Sequence, residues 1–218
     1  MDIFSYLLGK NSGGRQPQPT KAKPDYVNFT NCPYSTLDLS WLDTSKIENM
    51  TSIFEGSKVT DYSFLTDFDT KSVKTFKYAF RSLSLSSNIE LDLSNFNLSS
   101  CTDVSFMFRG SQRILSISCR GWDVKNVTTF ESMCDNATRL KNIDISNWNM
   151  QSCASFSQMF SNCYDLTNNS LQSILKAMKT IPTTLSNKNL SAIGLYYHKS
   201  KIVNMPEWQD LLALGWTE

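Results

Sequence analysis

The residues that could carry catalysis are few, and their spacing decides what they are for. His198 is the only histidine of the chain, and histidine is the usual proton carrier near neutral pH. It sits in LYYHKSK, which reads as a surface loop with a solvated ring. Asp38, Asp92 and Asp144 invite glycoside hydrolysis, since two carboxylates about 5–9 Å apart perform it. Their spacing is that of an internal repeat, which makes them outward-facing strand residues on successive copies instead. Six cysteines, Cys32, Cys101, Cys119, Cys134, Cys153 and Cys163, include no CxxC pair. No G-x-G-x-x-G, Walker, H-E-x-x-H or G-x-S-x-G sequence occurs. The expectation is a protein without catalytic residues, metal or cofactor.

The elements that position these residues come from the repeat, which is sought before any local element. Five copies share one pattern: LDLSWLDTSKIENMTSIF (37–54), SFLTDFDTKSVKTFKYAF (63–80), LDLSNFNLSSCTDVSFMF (91–108), ISCRGWDVKNVTTFESMC (117–134) and IDISNWNMQSCASFSQMF (143–160). Their bulky markers Leu42, Phe68, Phe96, Trp122 and Trp148 stand 26, 28, 26 and 26 residues apart. Each copy begins with an alternating segment such as Leu91/Leu93 or Ile143/Ile145, which predicts a strand. Asp43, Asp69, Asn97, Asp123 or Asn149 follows as a helix N-cap, and residues such as Ile47, Met50, Ile53 and Phe54 then recur at helical spacing. Stacked copies bury a continuous core that one copy cannot. Cys101, Cys134 and Cys153 occupy positions held elsewhere by Ile, Val or Phe, so they read as core thiols of a chain folded in a reducing cytosol.

The units LDLSNFNLSSCTDVSFMFRG and IDISNWNMQSCASFSQMFSNC resemble the repeat of BspA-like leucine-rich-repeat surface proteins over about residues 37–166. Copy two departs from it with Ser63 for the leading Leu and two extra residues, and copy four with Cys134 for Phe. The fold class this implies is an α/β repeat: a leucine-rich-repeat-like solenoid of about five strand-plus-short-helix coils, with a parallel sheet and a C-terminal helical cap. The division expected is residues 1–24 as an anchor peptide and flexible linker, 25–166 as the solenoid and 167–218 as the capping region.

In the cap, Leu171, Ile174, Leu175 and Met178 share one helical face behind Asn169 or Ser170 as the N-cap. A last helix runs from Pro206 to Leu214 with Gly215 as its stop, and Trp208, Leu211, Leu212 and Trp216 are its burial candidates. At the other end, Ile3, Phe4, Tyr6, Leu7 and Leu8 form a short apolar cluster, followed by a Gly/Pro/Lys linker. Asp2 and the shortness of this cluster argue against a signal peptide. The leader and the tail resemble those of leucine-rich-repeat proteins encoded by phages and prophages of gut bacteria, and that likeness implies a virion protein.

With 21 Lys and Arg against 20 Asp and Glu, the net charge is +1, which gives no one-signed field for nucleic acid. No run approaches the roughly 18 apolar residues of a membrane span. The remaining functional surface is the outer face of the sheet, where side chains of successive copies form rows: Thr36, Tyr62, Glu90, Ser116, Asn142; Asp38, Phe64, Asp92, Ser118, Asp144; and Ser40, Thr66, Ser94, Arg120, Ser146. Asp38, Tyr62, Phe64, Glu90, Asp92, Arg120 and Asp144 are its candidate binding residues. Expected partners are other virion proteins through Ile3–Leu8, and a host surface protein or glycan through the sheet, with homo-oligomers in the particle as one arrangement. Nucleic acid and membrane insertion are not expected. A bacterial cell-surface adhesin of the BspA type is the alternative.

Overall fold

The computed structural model describes residues 24–218. A parallel sheet is built from β1 (Ile89–Asp92), β2 (Ile114–Ser118) and β3 (Asn142–Ile143), in that order. Alternation explains it. Leu91, Ile117 and Ile143 pair in register and are buried, while Glu90, Ser116 and Asn142 pair in register on the other face. A bulge near Ile89 leaves Leu115 as the extra residue of β2.

The segments expected to be short helices are successive turns, and no α-helix occurs between residues 24 and 167. They are joined by a ladder of parallel bridges, Asn49 to Thr75, Thr75 to Asp103, Asp103 to Thr129 and Thr129 to Ser155. The bonds repeat from copy to copy: Phe54 N–H donates to Ala79 O (2.8 Å), Phe80 N–H to Met107 O (2.8 Å), Phe108 N–H to Met133 O (2.7 Å) and Cys134 N–H to Met159 O (2.8 Å). Helix is ruled out by the backbone itself. Ser52, Tyr78, Phe106, Ser132 and Gln158 have φ between 50° and 60°, and Gly56, Ser82, Gly110, Asn136 and Asn162 form a second left-handed column. Such residues break a right-handed helix. Two-residue Asx turns therefore replace the expected caps: Asp43 accepts from Ser45 N–H (3.0 Å), Asn97 from Ser99 N–H (2.9 Å) and Asp123 from Lys125 N–H (3.3 Å). The ladder starts before copy one, because Phe29 N–H donates to Ile53 O and the Phe29 ring stacks on Phe54 at 5.3 Å.

Copy two lacks a strand. With Ser63 at the inward position the two-residue period fails, and Tyr62, Leu65 and Phe68, three apart, are buried instead. A three-residue period is that of a 3₁₀-helix, and Ser63–Asp67 adopts one.

Behind the sheet, Phe29, Phe54, Phe80 and Phe108 stack in one column, and Phe96, Trp122 and Trp148 in another. The indole N–H groups of Trp122 and Trp148 donate to Leu93 O (2.8 Å) and Cys119 O (3.1 Å), which satisfies the one polar atom each ring brings into the core. All six cysteines are buried free thiols. Burial raises their pKa values, to about 12 for Cys101 and Cys153.

The C-terminal region contains α1 (Asn168–Met178), α2 (Leu190–Ile193), α3 (Lys199–Ile202) and α4 (Pro206–Ala213). Thr167 is the N-cap, two residues before Asn169 and three before Ser170, the expected caps, and it accepts from Ser170 N–H. Leu171, Ile174, Leu175 and Met178 are buried, as are Trp208, Leu211 and Trp216, but Leu212 is exposed. Helix α1 ends the sheet with hydroxyls. Ser170 Oγ accepts from Ile143 N–H (3.0 Å), and Ser173 Oγ accepts from Ile145 N–H (3.3 Å) while donating to Ile143 O (3.1 Å). The edge of β3 thus offers few free groups to another strand. The turn ladder ends on α2, where Gln158 and Phe160 donate to Ala192 O and Ile193 O. Gly194 sits there with φ +87°, and a Cβ on it would lie 2.7 Å from Ser161 Cα.

Candidate functional site

Where α1 crosses the end of the sheet, a groove of about 590 Å³ opens on the outer face. Its floor is β2, β3 and the residues that follow them, and its wall is α1 from Asn169 to Lys176. The alternation that sends Ile117, Cys119 and Ile143 inward turns Ser116, Ser118, Arg120, Asn142 and Asp144 toward it. Hydroxyls, amides, two cations and one carboxylate make up its polar lining.

Asp144 is the electrostatic centre. Its carboxylate accepts from Ser146 N–H at 3.0 Å and lies 3.5 Å from Arg120 Nε. Partial burial raises its pKa, but the Ser146 bonds and the charges of Arg120 and Lys176 outweigh that, and the net shift is downward. The Arg120 side chain is 71% exposed, and its contact with Asp144 runs through Nε. Lys176 Nζ stands 3.9 Å from Glu207 of α4. The groove can hydrogen-bond and pair charges.

Of the face residues expected from sequence, Arg120 and Asp144 meet in the groove. Asp38, Glu90 and Asp92 are exposed outside it. Asp38 accepts from Ser40 N–H (3.1 Å) and Asp92 from Ser94 N–H (3.0 Å), so both close Asx turns, and these bonds lower the pKa of Asp92. Tyr62 is not on the outer face. It is 7% exposed with its hydroxyl 3.0 Å from Ser57 Oγ, and burial raises its pKa. Phe64 is half-buried against the same core. Both corrections follow from the 3₁₀ turn, which rotates the copy-two side chains off the strand pattern. Ile3, Phe4, Tyr6, Leu7 and Leu8 lie outside the described residues.

His198 is also corrected. It is 2% exposed, its Nε2 is 2.8 Å from Cys163 O, and burial depresses its pKa. Gln172 and Lys176 of the groove wall were missed because they belong to the cap and outside the repeat rows. Their signal was their position on α1, on the face opposite Leu171 and Ile174.

A family profile described as "Mycoplasma protein of unknown function, DUF285" matches residues 26–140 and again residues 84–191. The two matches overlap over 84–140, as alignments of a repeating profile on a repeating chain do. The first begins where Phe29 opens the turn ladder. No curated protein and no solved structure matches the chain. With residues 26–191 matched, the chain belongs to this DUF285 family, a repeat family associated with BspA-like surface proteins.

Proposed function

We propose that the chain is a non-enzymatic binding module of a bacteriophage particle. In it, a leucine-rich-repeat-like solenoid is attached through residues 1–24 to other proteins of the tail, collar or capsid, and presents its groove to a glycan of the host surface. The groove carries the binding part of this proposal, because its short donors and acceptors, Ser116, Ser118 and Asn142, sit on hydrogen-bonded backbone and so lose little freedom when a ligand arrives. Bonds that repeat from copy to copy support the solenoid. Attachment through the leader draws on its resemblance to phage-encoded proteins and on the five large side chains of Ile3–Leu8, each able to contribute roughly 1.5–3 kcal/mol when buried on a partner. The family's association with BspA-like surface proteins favours a second function, that of a bacterial cell-surface adhesin.

Screening the full chain on a glycan array is expected to give binding that the double variant Arg120→Gln, Gln172→Ala removes. Binding that survives this variant would place the site elsewhere. Mass spectrometry of purified virions separates the two settings, since an adhesin would be missing from them. For the phage setting, Phe4→Asp with Leu7→Asp is expected to abolish incorporation, and normal occupancy of that variant would exclude the leader as anchor.

A further inference from the structure

We infer that the groove takes a carboxylate-bearing glycan, its acidic group held between Arg120 on the sheet and Lys176 on α1. This rests on the groove being a glycan site, as proposed above, and names the class of sugar.

Three observations lead there. First, the lining excludes the other common ligands. A peptide adding as a strand needs a free sheet edge, and the edge of β3 is occupied by the hydroxyls of Ser170 and Ser173. Pockets for apolar side chains are missing too, because Ile117, Cys119 and Ile143 are at most 3% exposed. Second, the lining holds no aromatic ring on which a neutral sugar could stack. Recognition must therefore come from hydrogen bonds and charge. Third, within the lining the cations outnumber the carboxylates. Arg120 and Lys176 face Asp144 there, and both cations act on it, while Glu207 of α4 contacts Lys176 from outside the lining. Asp144 holds Arg120 by a 3.5 Å contact through Nε. With its side chain 71% exposed, Arg120 is open to a second carboxylate, which a guanidinium grips with two parallel bonds. The 3.9 Å contact of Lys176 with Glu207 is too long for a hydrogen bond and leaves its ammonium able to turn into the groove. Ser116, Ser118, Asn142 and Gln172 then supply donors and acceptors for the hydroxyls of the ring.

The test is calorimetric titration of the full chain with oligogalacturonate, oligoguluronate and oligosialate, and with the methyl ester of each. At least one free acid is expected to bind, with its ester about tenfold weaker or worse, and affinity is expected to fall with added salt. Arg120→Gln is expected to erase the difference between acid and ester. Thermal denaturation of this variant checks the fold, and Arg120→Lys is expected to restore part of the preference. Equal binding of acid and ester would overturn the acidic preference while leaving a glycan groove in place. Stronger binding of a poly-glutamate peptide than of any sugar acid would overturn it in favour of an acidic protein. Failure of all three acids would overturn it as well, and the glycan array decides separately whether the groove binds sugars at all.

Discussion

Copies one and two and copies three to five share one repeat and differ on one side. Along the turn side the ladder is continuous from Phe29 to Gln158, with the same bonds in every copy. The sheet begins only at Ile89. In copy one, Leu39 is buried and its neighbours Asp38 and Ser40 are exposed, which is strand-like, yet no strand forms there. A strand needs an extended neighbour, and copy two offers a 3₁₀-helix instead. The turn side therefore asks little of a copy: a buried ring, an Asx turn and two residues that tolerate a left-handed backbone. The sheet side asks for an inward apolar pair in adjacent copies, and the groove exists only where that demand is met.

Breaking the shared side should have the largest effect. Phe80 stacks between Phe54 at 5.5 Å and Phe108 at 5.7 Å, so Phe80→Ala should cost about 3–5 kcal/mol in urea denaturation. A loss below about 1 kcal/mol would mean the column can collapse around the gap. Gly194→Ala attacks the ladder's last contact with α2, where a Cβ meets the Ser161 backbone at a left-handed φ, and about 2–4 kcal/mol is expected. An unperturbed midpoint would show that the cap does not hold the ladder's end.

Acidification probes the same junction more gently. The folded pKa of His198 lies below its unfolded value of 6.5, so folding favours the neutral ring. Its contribution is present above pH 6.5 and is lost as pH falls toward the folded value. The melting temperature should therefore drop between about pH 7 and pH 5, a window above most carboxylate titration, and His198→Gln should flatten the slope. An identical slope in that variant would assign the loss to other groups. The smallest change belongs to Asp123. As an exposed Asx-turn acceptor with a 3.3 Å bond, it should cost about 0.5–1 kcal/mol when replaced by Ala. A loss near 2 kcal/mol would show that the carboxylate does more than close this turn.

What was legible in the sequence follows the same division. Rows Glu90, Ser116, Asn142 and Leu91, Ile117, Ile143 were readable because a two-residue period with inward Leu or Ile has one outcome once strands pair. The turn segments looked helical because Ile47, Met50, Ile53 and Phe54 fit a helical face. Their backbone is instead fixed by bonds to the next copy, and local propensity does not record those. Gly56, Gly110, Asn136 and Asn162 were the available signal: glycine or asparagine, the two residue types that most readily accept positive φ, at one position of four copies. Tyr62 and Phe64 were misplaced by extending the strand pattern over Ser63, the one copy whose leading residue is not apolar. Half of the groove was legible, since Arg120 and Asp144 stood in the rows. The wall was not, because the approach of α1 to β3 is set by the hydroxyls of Ser170 and Ser173, which no repeat announces.

Amide hydrogen exchange resolved by residue tests the central claim most directly, that one turn ladder spans all copies while the sheet is confined to copies three to five. The amides of Phe54, Phe80, Phe108 and Cys134 should be protected alike, and on the other side protection should be strong at Leu91, Leu93 and Ile117 but weak at Asp38 and Leu39. Equal protection of Leu39 and Leu91, or rapid exchange at Phe54, would contradict it.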